Sequence, residues 1–145
     1  MSNKNYYLFL SLVLIMNTLS CVPEFGRTVI LQPDEYRYVY EAKETAILRA
    51  IASILKEKNI GSHVTIDYQN LRVNSDYVYS GEWRTKANAR VKKLNWKECE
   101  VMLAVITDKK TEAGWEMRRL LQKEQYYTFF SVIDLKIYEE MSKVE

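Results

Sequence analysis

The chain has 145 residues, a mass of 17.2 kDa, an apolar fraction of 48% and a formal net charge of +2. That length suits one domain with a core of useful size, and the near-neutral balance argues against wholesale nucleic-acid binding, which wants a strongly basic face. Four glycines and two prolines are too few for a long disordered linker or a glycine-rich phosphate loop.

The first element is a leader. Met1 to Asn5 is polar with one lysine, and Tyr6 to Met16 is a run of eleven residues broken only by Ser11 and two tyrosine hydroxyls. A spanning helix needs about twenty apolar residues, whereas this run has the length of a signal-peptide apolar region and no polar face of the kind an amphipathic core helix would carry. Thr18-Leu19-Ser20-Cys21 follows it. This tetrapeptide resembles a lipobox in the relaxed form seen in spirochaetes and some other diderm bacteria. The resemblance implies a signal peptide over 1–20, diacylglycerol on the Cys21 sulfur, cleavage after Ser20 and acylation of the new amino terminus. Val22 after the cysteine, where an aspartate would mark inner-membrane retention, implies the outer membrane. Thr18 and Ser20 also fit the small-x-small rule of ordinary signal peptidase, which would release a soluble secreted protein.

Residues 21–27 read as a lipidated tether and 28–145 as a single domain. Thr28 to Leu31 is a short apolar run suited to an edge strand. Pro33-Asp34-Glu35 has the chemistry of a helix start with Asp34 as N-cap. From there Val39, Lys43, Ala46, Ile47, Ala50, Ile51, Ile54 and Leu55 recur at helical spacing, and Asn59 with Gly61 closes the helix. The period then changes to two. Val64, Ile66 and Tyr68 mark a half-buried strand, Gln69-Asn70 a turn, and Leu71–Val73 and Tyr77–Trp83 further strand interrupted by Asn74-Ser75-Asp76. Ala87, Ala89 and Val91 alternate with polar neighbours, and Asn95-Trp96-Lys97 turns the chain into the apolar run from Cys99 to Thr107, which together read as a β-hairpin. Ala87, Val91 and Leu94 fit helical spacing as well, the alternative for Thr85 to Leu94.

Thr111-Glu112 has the pattern of another helix start, with Trp115, Leu120 and Leu121 as its apolar side. Tyr126 to Met141 is helical, with Phe129, Phe130, Ile133, Ile137 and Met141 on one side, and Ser131 and Asp134 leave open one long helix or two short ones. The fold class is α+β: an antiparallel sheet of about four strands packed against an N-terminal and a C-terminal helix. That order is similar to the helix-on-sheet modules of outer-membrane assembly lipoproteins, such as the repeated domains of BamC.

Chemistry is sparse. His63 is the single histidine, has no Cys or Asp at metal-ligand spacing beside it, and predicts no metal site. Cys99 lies among Val101, Leu103 and Val105 and reads as an inert buried thiol. No catalytic residue, metal or cofactor is expected. The remaining constellation is basic. On a strand, Arg84, Lys86, Arg90 and Lys92 share one face, flanked by Trp83 and Trp96, and form a candidate anion-binding patch or a solvated outer face. Tyr36, Tyr38 and Tyr40 mark a partner surface or pack locally. The sequence therefore predicts a non-catalytic binding or structural module of the cell envelope. Its partners would be a membrane, reached through the lipid anchor, and an envelope protein or anionic lipid. The alternatives are a secreted soluble protein and an envelope hydrolase.

Overall fold

The computed structural model describes residues 26–143. Two helices pack on one face of a seven-stranded antiparallel sheet, so the α+β class stands and the expected four strands become seven. The strands are β1 (Tyr36–Tyr40), β2 (Ser62–Asp67), β3 (Arg72–Asp76), β4 (Val78–Ser80), β5 (Trp83–Lys93), β6 (Cys99–Thr111) and β7 (Gly114–Arg118); the helices are α1 (Glu44–Glu57) and α2 (Lys123–Ser142). The sheet order is β1-β6-β5-β3-β2, with β4 also beside β5 and β7 also beside β6.

Two long strands organise everything else. The alternation of Ala87, Ala89 and Val91 with polar residues does form a strand, which removes the helical alternative for residues 85–94. β5 and β6 pair without a break from Trp83↔Lys109 to Lys93↔Cys99. The Asn95 side chain closes their loop by accepting from the amides of Lys97 (2.8 Å) and Glu98 (2.9 Å). Each long strand is flanked by two short ones. β3 and β4 lie beside β5, while β1 and β7 lie beside β6.

Where the short strands meet end to end, the backbone of the long strand loses its partner, and a buried unpaired amide costs about 1–3 kcal/mol. Hydroxyls fill both gaps. Beside β5, the Ser75 hydroxyl accepts from the Ala87 amide (2.9 Å) and donates to the Ala87 carbonyl (3.2 Å). Beside β6, the Tyr126 hydroxyl on α2 accepts from the Val105 amide (3.0 Å). Ser75 therefore lies inside β3, and Asn74-Ser75-Asp76 continues the strand instead of interrupting it. The interruption is smaller. β3 meets β5 in one register (Asn74↔Asn88) and β4 meets it one residue later (Val78↔Thr85), which is a β-bulge.

Two expected helix starts are strands. Asp34 caps nothing; its carboxylate accepts from Arg119 (2.6 and 3.1 Å), and Tyr36, Tyr38 and Tyr40 alternate at period two against Leu103, Val101 and Cys99. Aromatic residues at that spacing favour a pleated surface, so α1 begins only at Glu44. Thr111 is the last residue of β6; its hydroxyl donates to the Gly114 carbonyl (3.0 Å), and Gly114 at φ 121° takes a conformation suited to glycine in a hairpin turn. Thr28 to Leu31 lies against β7, with Val29 bridged to Arg118 and the Ile30 amide donating to Met117 (3.1 Å).

The core lies between helices and sheet. Ile47, Leu48, Ile51 and Leu55 of α1 and Tyr126, Phe130, Ile133 and Ile137 of α2 cover Val73, Ala89, Val91, Val101 and Leu103. α1 ends as its sequence requires, with Asn59 at φ 52°. α2 is one helix. Gln122 and Gln125 form a reciprocal capping box at its start, and Ser131 donates back to the Tyr127 carbonyl (3.0 Å) without breaking it. No described helix is long and apolar enough to cross a membrane.

Candidate functional site

The sheet face away from the helices carries the basic stripe. Arg84, Lys86, Arg90 and Lys92 all lie there with Asn88 between them, because residues two apart on β5 point the same way. The register decides what they meet. Asp108, Ile106, Ala104, Met102 and Glu100 stand opposite residues 84, 86, 88, 90 and 92 in turn. Both ends of the stripe therefore face a carboxylate.

Arg84 is fully engaged. Its Nε donates to Asp108 Oδ2 at 2.7 Å, and its guanidinium lies between the Tyr77 ring (4.2 Å) and the Trp115 ring (4.4 Å). Desolvation opposes its charge, but hydrogen bonds to Asp108 and Tyr79 and the Asp108 field hold its pKa above the ordinary value. Burial, then a hydrogen bond to Asp108, pushes the Tyr77 phenol up. Each such cation–π contact contributes about 0.5–2 kcal/mol. The Lys86 ammonium sits over the other part of this cluster, 4.6 Å from the Tyr77 ring.

The bulge between β3 and β4 builds the cluster. In the register of β4, Tyr79 stands opposite Arg84, and Tyr77 falls beside Lys86 on the outer face. Without the extra residue, alternation would turn Asp76 and Val78 outward and the two tyrosines toward the helices. Gly61 makes room for the bulge: a Cβ there would overlap the Ser75 side chain.

At the other end of the stripe Arg90 Nη2 lies 2.7 Å from Glu35 Oε2. Arg37 shares Glu35 (3.7 Å) and reaches Glu100 (3.8 Å). The stripe is thus a charge-balanced face with Lys86, Lys92 and half-exposed Arg90 as its accessible cations, and Arg84 serves as a clamp.

Nucleophile and base are not brought together. His63 is exposed at φ 45°, with Nδ1 3.5 Å from Asp76. A depression of about 380 Å³ beside it includes Ser62, Ser75 and Lys86, but the Ser62 hydroxyl donates to the Tyr77 carbonyl (2.9 Å) and Ser75 serves Ala87. Cys99 is 2% exposed, and burial raises its thiol pKa. β5 and β3 separate its strand from that of His63. Among the described residues no three His, Cys, Asp or Glu side chains group as metal ligands.

Cys21 lies outside the described residues. Sequence reasoning missed Tyr77, Tyr79, Trp115 and Asp108, whose meeting with Arg84 depends on the bulge and on the β6–β7 hairpin. Gly114 was the local signal for that hairpin; the bulge has no signal within its own segment. No protein-family model and no curated protein matches the chain.

Proposed function

We propose that the chain is a lipoprotein of the bacterial cell envelope, anchored through acyl chains on Cys21, with a domain that binds or scaffolds and does not catalyse. The observation that carries the proposal is the cysteine placed directly after a leader too short to span a bilayer. Two or three acyl chains make an anchor of this kind stable, since each buried methylene contributes about 0.8 kcal/mol and a single chain holds only marginally. The engagement of Ser62, Ser75 and Cys99 in structural contacts favours the binding reading over the hydrolase.

The anchor has a geometric consequence. Gly26 lies five positions after Cys21, with four residues between them, a reach of at most roughly 18 Å. Gly26 is buried against the Trp83 and Leu120 side chains. An acylated Cys21 thus holds the β7 side of the sheet close to the headgroups. Outer-membrane placement is part of the proposal, resting on Val22. The stripe of Arg84, Lys86, Arg90 and Lys92 is its weaker component, an anion-binding face for lipid headgroups or an acidic protein.

Metabolic labelling with an alkyne-tagged fatty acid tests the anchor. The parent chain should take up label and partition into detergent, and Cys21→Ser should do neither. An unlabelled parent released as a soluble chain beginning at Cys21 would instead support the secreted reading that Thr18 and Ser20 favour.

A further inference from the structure

The strand order leaves β1 with one neighbour: among the described residues it pairs with β6 alone. One row of its backbone N–H and C=O groups therefore faces away from the sheet. Native proteins blunt such edges with bulges, prolines or inward-pointing charges. The opposite edge is blunted in this way. β2 shifts register between Ser62 and Thr65, and His63 within it has positive φ. β1 holds an unbroken register over all five residues, and Tyr-Arg-Tyr-Val-Tyr has neither proline nor glycine and a high strand preference.

A groove of about 260 Å³ runs between β1 and α2. Buried Tyr40 and Ile137 form its floor, and exposed Tyr38, Tyr138 and Met141 form its rims. Asp134, Tyr138 and Met141 recur at helical spacing and line the groove from the α2 side. Leu135 (67% exposed) and Tyr138 (68%) widen the apolar surface. Half of the exposed large apolar side chains among the described residues lie on these two elements, which separates this region from ordinary scattered surface residues. Apart from tyrosines, the ionisable groups lining the groove are Glu41 and Asp134, both carboxylates. Lys97 reaches Glu41 (2.5 Å), whereas Asp134 has no ion pair among the described residues.

An open strand edge selects an extended backbone, and the aromatic rims accept alternate side chains. The unpaired carboxylate selects positive charge. We infer that β1 and α2 form a docking groove for an extended basic segment of a partner protein, which adds to the sheet beside β1 and sets a lysine or arginine against Asp134. The inference rests on the reading of the domain as a binding module and is independent of the anchor. A chain that labels at Cys21 but binds no peptide loses the groove alone.

The test uses the full chain in mild detergent and two octapeptides with valine and tyrosine at alternate positions, separated by lysine in one and glutamate in the other. The lysine peptide should shift the backbone amide signals of Tyr36–Tyr40 and slow their exchange, and bind about tenfold tighter than the glutamate peptide. Methylating the peptide amides along one edge should abolish binding, and methylating the other edge should not. Asp134→Lys should reverse the charge preference, and Tyr138→Ala should weaken binding about fivefold; both side chains are exposed, so both variants should fold. Unshifted β1 amides, equal binding of the two peptides, or indifference to Asp134→Lys overturns the inference. Concentration-dependent shifts of the same amides without peptide also overturn it, and would give the edge to a second copy of the chain.

Discussion

The two flanks of the central hairpin solve one problem by different means. Beside β5, the short strands β3 and β4 are consecutive in sequence, and a single extra residue separates them. Beside β6, the short strands β1 and β7 come from opposite ends of the domain, and the gap between them is filled from α2 by Tyr126. The first flank is closed by its own neighbours and re-aims its side chains through a bulge. The second depends on a helix docking across it, and it leaves β1 as an unblunted edge. A local repair costs little chain entropy and fixes side-chain direction, while a long-range one ties sheet formation to helix packing.

Variants can separate the flanks. The largest effect is expected where they are joined, at Arg84, whose guanidinium touches Tyr77 beside the bulge, Trp115 on β7 and Asp108 on β6. Asp108→Ala strands a largely buried cation and should lower the unfolding free energy in urea by about 3 kcal/mol. An unchanged midpoint would mean that the clamp is not the joint. Gly61→Ala drives a methyl into Ser75 and should cost about 2–3 kcal/mol, with amide exchange accelerating at Ala87 but not at Val105. Ser75→Ala removes both hydroxyl bonds to Ala87 at a cost of about 2 kcal/mol.

Tyr126→Phe is the matching test of the other flank, at about 1–2 kcal/mol, with exchange accelerating at Val105 alone. The same residue carries a pH signature. Burial pushes the Tyr126 phenol up to about 12 from the usual 10. A group that holds its proton more tightly when folded adds stability that is complete below the unfolded pKa and lost as pH rises through the folded one. The parent should therefore lose about 2–3 kcal/mol more than Tyr126→Phe between about pH 10 and 12. Parallel stability curves for the two proteins across that window would contradict the assignment. The smallest effect concerns the stripe. Glutamine at 86, 90 and 92, the accessible cations, should weaken binding to anionic vesicles several-fold at low salt with Arg84 and its clamp left in place, and equal binding by variant and parent would dispose of the patch.

The sequence made the centre of the fold legible and left its periphery obscure. Alternation of Ala87, Ala89 and Val91 marks β5 and the shared face of Arg84, Lys86, Arg90 and Lys92, because period two is written in the strand itself. The stripe from Ile47 to Leu55 marks α1 for the same reason. β1 was hidden by coincidence: Asp34-Glu35 has helix-start chemistry and Val39 fits the helical stripe that follows, while the partner that claims Asp34 is 85 residues away. Thr111-Glu112 misled in the same manner, although Gly114 was a warning that the chain turns. The balance of the stripe could not be read at all. It depends on Asp108, Glu35 and Glu100 arriving through register, and on a one-residue bulge that only its partner strand reveals.

The anchor remains the claim on which function turns, and the intact mass of the protein purified from the cells that make it tests it most directly. The account predicts a chain beginning at residue 21 and heavier than its polypeptide by a diacylglyceryl group, with or without a further acyl chain. A mass equal to that of a bare polypeptide, whether cut after Ser20 or uncut, would contradict it.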